Sequence, residues 1–188
     1  ISYIGDDVYE NYYKNVLSQS INPGIAEKSN FKLTYTPLNG TGNKPVREIL
    51  KRIGIKEVNI VPEQENPDGN FTTCPYPNPE IREALTKGLE LCAVEKPDLL
   101  LATDPDCDRL GVAVKKGNEY VRMTGNQSAA VLLKYILSRK AENGTLPKNG
   151  VMFNTIVTSD LGDRISESYG LTVEKTLTGF KFIGDKIY

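Results

Sequence analysis

Residues 98–114 read DLLLATDPDCDRLGVAV, and the centre of the fold can be predicted from them. Two apolar runs flank three aspartates at alternate positions, Asp104, Asp106 and Asp108, and Arg109 follows the third. The first run has the continuous apolar character of a strand that is covered on both faces. Residues i, i+2 and i+4 of an extended chain point to one side. Pro105 and the return into LGVAV should then curl the three carboxylates into an arc around one ion at the end of this strand.

Such a cluster needs either full solvation or a cation, because each pair of carboxylates about 4 Å apart repels by on the order of 4 kcal/mol at an effective dielectric near 20. Open α/β sheets bind ligands beyond the carboxyl ends of their strands. Carboxylate oxygens suit hard cations, and Mg2+ commonly acts together with a substrate phosphate. We predict Mg2+ here, with the Arg109 guanidinium binding phosphate oxygens. A solvated acidic turn that Arg109 holds by an ion pair stays open as an alternative.

Working outward from this stretch, apolar patterns predict helices and strands in turn, which is the order of an α/β protein. Strands are predicted at 31–35, 57–61, 98–102, 111–115, 119–123, 151–157 and 171–176. Helices are predicted at about 6–17, from Pro45, from Asn78 with Pro79 in its first turn, and at about 126–139, 159–169 and 178–187. We place one α/β unit at 1–120 and the first part of a second at 121–188.

Four of these helices have an apolar stripe. In the helix from Pro45 it consists of Val46, Ile49 and Leu50, and in the helix from Asn78 it consists of Ile81, Ala84, Leu85, Leu89 and Cys92. In the first helix the stripe consists of Val8, Tyr12 and Val16. In the helix at 126–139 it consists of Ala129, Val131, Leu132 and Ile136.

Composition excludes several classes of function. The chain has 23 basic and 24 acidic residues among 188, so neither a nucleic acid nor a membrane surface is an expected partner. It has no histidine, which excludes histidine-based triads and histidine-ligated zinc. Three cysteines without a CxxC pair favour a reducing, cytoplasmic location. The chain starts at Ile1 and ends at Tyr188, soon after a predicted helix start, so we expect it to be part of something longer.

The sequence ATDPDCDRLGVAV resembles the metal-binding loop of the α-D-phosphohexomutases, the phosphoglucomutase and phosphomannomutase superfamily. Further stretches resemble the phosphoglucomutase branch of that family: YTPLNGTGNKPVREIL (35–50), VPEQENPDGNF (61–71), YPNPE (76–80), TGNQSAAVLL (124–133) and TLTGFKFIG (176–184). The resemblance covers nearly the whole chain in the correct order.

The resemblance implies three-layer α/β/α units with a mixed, mostly parallel sheet. It makes 1–120 the second of four domains, with the metal-binding loop, and 121–188 the N-terminal part of the third. It implies that the three aspartates bind Mg2+ with a phosphoserine oxygen, and that Arg109 contacts the same phosphate. It also implies a sugar-recognition loop, formed by Thr178, Gly179, Phe180 and Lys181.

The implied activity is that of an isomerase that interconverts glucose 1-phosphate and glucose 6-phosphate, with mannose phosphates as further substrates. A phosphoserine and Mg2+ would act through a glucose 1,6-bisphosphate intermediate. The implied partners are the sugar phosphate and domains 1 and 4 of the same polypeptide. Because no serine here lies in a TASHNP-like motif, we expect the chain alone to be inactive.

Two alternatives stay open for the function. One is another activity of the same branch, a phosphopentomutase or a glucose 1,6-bisphosphate synthase. The other is a non-catalytic binding module in which the acidic loop holds Ca2+. We interpret NGTGNK (39–44) as structural and the proline-rich stretch 62–79 as an extended cover. Cys107 departs from the family pattern, which has a small residue such as alanine at this position.

Overall fold

The computed structural model describes residues 2–187, so Ile1 and Tyr188, the outer ends of the predicted domains, lie outside the described residues. The chain forms two compact units, Ile1–Thr124 and Gly125–Tyr188. The strand Glu119–Met123 spans the predicted division between residues 120 and 121 and belongs to the first unit.

The first unit contains a five-stranded sheet with helices before and between its strands. Its elements are α1 (Asp6–Ser18), β1 (Lys32–Thr36), α2 (Asn43–Arg52), β2 (Glu57–Ile60), α3 (Pro62–Glu65), a 3-10 turn (Glu83–Leu85), α4 (Thr86–Glu95), β3 (Leu99–Thr103), β4 (Leu110–Lys116) and β5 (Glu119–Met123). The strand order is β2-β1-β3-β4-β5, with β1 parallel to β2 and β3, and β4 antiparallel to β3 and β5. This confirms the predicted α/β fold with a mixed, mostly parallel sheet.

One face of the strand β3 is fully buried, and the other face, which carries Leu99 and Leu101, is half-buried. Leu100 is fully buried in a cluster with Leu85, which directly precedes α4, and Cys92, which lies in α4. On the other face, the hydroxyl of Tyr35 on β1 lies 2.8 Å from that of Thr103, close to the start of α2. Pairing with β1 and β4 places β3 in the middle of the sheet, with its carboxyl end at Thr103.

The helix predicted from Asn78 begins later than expected. The Asn78 side chain accepts a hydrogen bond from the Glu80 amide at 3.0 Å and so closes a turn instead of capping a helix. Pro79 is fully buried, and its carbonyl lies so close to Gly111 that a Cβ there would be 2.3 Å away. Packing against β4 holds this segment as a turn, and α4 begins only at Thr86.

The predicted inward stripe of α1 is wrong. Tyr13 is the buried residue of this helix, whereas Val8 and Tyr12 are exposed and Val16 is half-buried. The reason is a contact with α2, since the Arg52 guanidinium lies 4.5 Å from the centre of the Tyr13 ring and also pairs with Glu10 at 2.5 Å. A basic residue of a neighbouring helix therefore decides which side of α1 faces inward.

The second unit contains a parallel two-stranded sheet. Its elements are α5 (Gly125–Glu142), β6 (Val151–Thr155), α6 (Leu161–Ser168), β7 (Thr172–Thr176) and α7 (Phe180–Ile187).

The stripe predicted for α5 is also wrong. Ala129, Val131, Leu132 and Ile136 are all exposed. The buried residues are Ala130 and Leu137, each one position further along, which rotates the inward face by about 100°. Apolar residues surround this helix on most sides, so its pattern alone does not select the face that packs.

No helix within residues 2–187 has both the length and the apolar character that crossing a membrane requires.

Candidate metal centre

The three aspartates lie in the tight connection between β3 and β4, just beyond the carboxyl end of β3. Asp104 is buried, and Asp106 and Asp108 are exposed. One carboxylate oxygen from each residue lies within 4.8 Å of the other two. The connection is a turn rather than an extended segment, because the Cys107 amide donates to the Asp104 carbonyl at 3.0 Å and Cys107 has a left-handed φ of 66°. The turn, and not strand alternation, brings the carboxylates together.

Asp104 is bound at both carboxylate oxygens by Arg109. The Arg109 backbone amide donates to Oδ1 at 2.8 Å, and Nε donates to Oδ2 at 2.7 Å. Burial alone would raise the pKa of Asp104, but the hydrogen bonds from Arg109 outweigh it and hold this pKa below its ordinary value. Asp104 is therefore a buried and ionised carboxylate.

Asp106 and Asp108 carry the negative charge that faces solvent. The charge of Asp106, followed by that of Asp104, raises the pKa of Asp108 above its ordinary value. This is the effect expected when like charges crowd one site. A bound cation would relieve it.

The donor set fits a hard divalent cation. All three side chains offer carboxylate oxygens, the ligand type that Mg2+ and Ca2+ prefer. Each Asp104 oxygen accepts one hydrogen bond from Arg109 and keeps a further lone pair for a metal. Three protein ligands leave the remaining positions of an octahedral ion open to water or phosphate oxygens.

Arg109 is half-exposed and uses its Nε for Asp104. Among residues 2–187, its two terminal amino groups have no hydrogen-bond partner, so they are free to bind another anion. The ion pair that the sequence left open is present, and it leaves these groups available for phosphate.

Sequence reasoning missed the support beneath this turn. Thr41, within the segment interpreted as structural, donates two hydrogen bonds to the carbonyl of Pro105. The available signal is the pair of glycines around it, Gly40 and Gly42, since glycine permits close approach of one backbone to another.

Of the four residues predicted to form the sugar-recognition loop, Thr178 and Gly179 lie between β7 and α7, and Phe180 and Lys181 are the first two residues of α7. Thr178, Gly179, Phe180 and Lys181 are all exposed. Gly179 has a φ of 126°, and its carbonyl accepts the Phe182 amide at 3.1 Å. The loop thus presents side chains to solvent at the carboxyl end of a strand, and its role stays a prediction.

A second polar cluster, which the sequence did not reveal, lies in the same unit. Buried Asp163 accepts hydrogen bonds from Asn154 at 2.6 Å and from Lys175 at 2.8 Å. Lys175 also pairs with Asp160 at 2.5 Å. The hydrogen bond from Lys175, followed by that from Asn154, lowers the pKa of Asp163. This network joins β6, β7 and the start of α6.

The fold and the site define an α/β protein that carries a convergent carboxylate cluster at the carboxyl end of a central strand. Family models match nearly the whole chain. Residues 10–117 match "Phosphoglucomutase/phosphomannomutase, alpha/beta/alpha domain II", and residues 124–188 match domain III of the same family. The chain therefore belongs to the phosphoglucomutase/phosphomannomutase family.

Curated relatives align along the full chain. It is 34% identical to a phosphomannomutase from Mycoplasmoides pirum over 187 residues, which are 100% of this chain and 34% of that protein. It is 37% identical to a phosphoglucomutase from Staphylococcus saprophyticus over 188 residues, which are 100% of this chain and 33% of that protein. The chain thus spans about a third of the length of these relatives.

Solved structures support the fold. A phosphoglucomutase/phosphomannomutase family protein from Burkholderia thailandensis superposes with a TM-score of 0.73 at 19% identity, over 96% of this chain and 35% of that chain. A structure from Thermus thermophilus gives a TM-score of 0.71 at 24% identity, over 94% of this chain and 38% of that chain.

Proposed function

We propose that this chain is the metal-binding portion of an isomerase that interconverts glucose 1-phosphate and glucose 6-phosphate. Asp104, Asp106 and Asp108 would hold Mg2+ next to a phosphorylated serine from another part of the polypeptide. The observation that carries this proposal is the convergence of three carboxylate oxygens within 4.8 Å beyond the end of β3. Membership of the phosphoglucomutase/phosphomannomutase family supports it.

Each residue of the site has a distinct task in this proposal. Asp104, anchored by Arg109, fixes one ligand oxygen in a buried position. Asp106 and Asp108 supply the charge that attracts the cation from solvent. Bound Mg2+ would neutralise charge on the phosphoryl oxygens. The free terminal amino groups of Arg109 would orient the same phosphate, which is the positioning that phosphoryl transfer requires.

The second unit would recognise the sugar. Gly179 and its neighbour Thr178 lie directly before α7, where first-turn amides have no partner within the helix and can bind an anionic or hydroxyl-rich ligand. Phe180 and Lys181, the first two residues of α7, would line the same site. Glucose 1,6-bisphosphate would be the intermediate, and mannose phosphates would be further substrates.

The chain alone would bind metal without turnover. It contains no histidine and therefore no Ser-His-Asn-Pro sequence that could carry the phosphoryl group. Domains equivalent to the first and fourth of the family would supply the serine and the phosphate-binding loop. A cytoplasmic location suits the three cysteines, all of which are free thiols.

Titration of Mg2+ into the 188-residue chain, followed by NMR of the Asp106 and Asp108 amides, tests the metal site. We expect saturable, weak binding, because the phosphoserine ligand is absent. No shift of these amides at any Mg2+ concentration would contradict the proposal. Submicromolar Ca2+ affinity, on the order of that of EF-hand proteins, would instead support a non-catalytic Ca2+ module.

The substrate is tested in a protein that combines this chain with the serine-containing and phosphate-binding segments. We expect higher kcat/KM for glucose 1-phosphate than for ribose 1-phosphate. A preference for the pentose would indicate a phosphopentomutase. Net formation of glucose 1,6-bisphosphate from a phosphoryl donor would indicate the synthase.

A further inference from the structure

The segment before α2 forms a floor under the aspartate turn. The Thr41 amide donates to the Pro105 carbonyl at 2.8 Å, and the Thr41 hydroxyl donates to the same oxygen at 3.0 Å. Pro105 lies between the first two aspartates, so these bonds act at the centre of the carboxylate cluster. They connect it to a residue 64 positions earlier in the chain.

Two glycines let this floor approach closely. A Cβ on Gly40 would lie 2.4 Å from Pro105 Cα and 2.6 Å from its carbonyl oxygen. A Cβ on Gly42 would lie 2.8 Å from Cys107 Sγ and 2.7 Å from the Tyr35 hydroxyl. At Gly40 the obstructing atoms are backbone atoms, so a side chain there must displace the turn itself.

The floor is itself firmly held. Leu38 and Asn39 both adopt left-handed backbone conformations, with φ of 48° and 59°. The Asn39 amide donates to the Gln64 carbonyl at 2.9 Å, and its side chain donates to the carbonyls of Asn66 at 2.7 Å and Glu63 at 3.3 Å. Backbone strain of this kind persists only where the surroundings over-determine it. The floor is therefore a fixed support.

We propose that Gly40 and Thr41 are positioning residues that set the curvature of the aspartate turn and so the separation of its carboxylates. Arg109 anchors Asp104 independently. A shift of Pro105 would therefore move Asp106 relative to a stationary Asp104 and spoil the convergence. The role in metal binding rests on the proposed Mg2+ site, whereas the role in shaping the turn does not.

The test compares glycine substitutions in the full 188-residue chain. Gly40→Ala should lower Mg2+ affinity about tenfold or more, as loss of support behind a metal ligand commonly does. Gly69→Ala is the matched control, because a Cβ there meets no atom within 4 Å. Gly88→Ala is the control for stability, since its Cβ would press on Leu100 on the sheet face that packs against α4. Both controls should bind Mg2+ as the parent chain does.

A second pair of variants removes one hydrogen bond without adding bulk. Thr41→Val loses the hydroxyl donor and should lower Mg2+ affinity by about three- to tenfold, whereas Thr41→Ser should restore it. Hydrogen exchange of the Cys107 and Arg109 amides, measured without metal, reports the shape of the turn directly. Gly40→Ala and Thr41→Val should accelerate this exchange more than Gly88→Ala does, and Gly69→Ala should leave it unchanged.

The outcomes separate this proposal from the proposed function. If Gly40→Ala binds Mg2+ as tightly as the parent chain, the positioning role is overturned. If Gly40→Ala does not fold, the same result in Thr41→Val overturns it. If the parent chain binds no Mg2+, the proposed function fails and hydrogen exchange decides: faster exchange in the variants supports the shaping role, and unchanged exchange overturns it. Equal loss of affinity in Gly88→Ala would indicate a general effect of stability and would also overturn it.

Discussion

Arg109 closes the aspartate turn by binding Asp104 twice, with its backbone amide 2.8 Å from Oδ1 and its Nε 2.7 Å from Oδ2. The first acid of the cluster is thereby fixed by the residue that follows the last. One side chain serves both the fold and the site. Three of the five predictions below concern this turn, one concerns α1 and one concerns the second unit.

Arg109→Lys should destabilise the chain by about 1–3 kcal/mol, because lysine has no Nε–H donor and leaves a buried carboxylate under-bonded. The measurement is the free energy of unfolding in urea at neutral pH. Arg82→Lys, at an exposed position, is the control and should change stability by less than about 0.5 kcal/mol. Equal stability of the two variants would show that the Arg109 side chain does not hold the turn.

Asp106→Asn should lower Mg2+ affinity strongly while leaving the free energy of unfolding unchanged or slightly higher. The substitution removes a charged ligand and relieves its repulsion of Asp108. Calorimetric titration and urea unfolding measure the two effects. Glu119→Gln, an acid at the β4–β5 hairpin, should alter neither. Unchanged Mg2+ affinity in Asp106→Asn would remove the metal assignment.

The carboxyl group of Asp108 should titrate above the ordinary aspartate pKa of about 4. The charge of Asp106, and then that of Asp104, makes its ionisation less favourable. A raised pKa in the folded state means that Asp108 favours the folded chain as pH falls through that pKa and opposes it at higher pH. NMR of the carboxyl carbon without metal measures it, and Asp106→Asn should shift the titration downward. An ordinary pKa for Asp108 in the parent chain would show that the charges of Asp106 and Asp104 do not act on it.

Tyr13→Ala should destabilise the first unit by about 1.5–3 kcal/mol, because it exposes a buried aromatic site. Its neighbour Tyr12 provides a control of the same chemistry, since Tyr13 is 7% exposed and Tyr12 is 53% exposed. Tyr12→Ala should change stability by less than about 0.5 kcal/mol. If Tyr12→Ala lowered the thermal stability more than Tyr13→Ala does, the side of α1 predicted from the sequence would be the one that packs.

Asp163 should stabilise the second unit in a pH-dependent way. Hydrogen bonds from Lys175 and Asn154 lower its pKa in the folded state. Its stabilising contribution is therefore complete above the unfolded pKa of about 4 and is lost as pH falls through the lower folded value. Hydrogen exchange of the β6 and β7 amides measures this.

Asp163→Asn should lower the hydrogen-exchange protection of these amides at neutral pH. In this variant the protection should also change less as the pH is lowered. Asp185→Asn, at an exposed position of α7, serves as the control. Identical protection in the two variants would contradict the role of the Asp163 network.

The strands were largely predictable from the sequence, because a short apolar run between turn residues is seldom anything other than a buried strand. The stretch 98–114 predicts β3, the turn and β4, and all three are present. The position of the aspartates beyond the end of a strand was equally predictable. Pro105 and the return into β4 predicted that the chain curls here, but the left-handed conformation of Cys107 that shapes the turn was not predictable.

Helix faces were less predictable where apolar residues surround the helix. The sequence of α5 offers Ile136 and Leu137 as equally apolar candidates, and only Leu137 is buried. The support beneath the aspartates was missed for a related reason. Thr41 and Pro105 are 64 positions apart, and no local pattern shows that they meet.

Local spacing and residue chemistry are enough to predict the α/β class, the order of strands along the chain and the crowding of three acids beside one arginine. Tertiary structure alone decided which helix faces are buried, that both oxygens of Asp104 bind Arg109, and that a glycine-flanked threonine lies beneath Pro105. These features depend on contacts between distant segments. Packing selects such contacts from several arrangements that the local pattern allows equally.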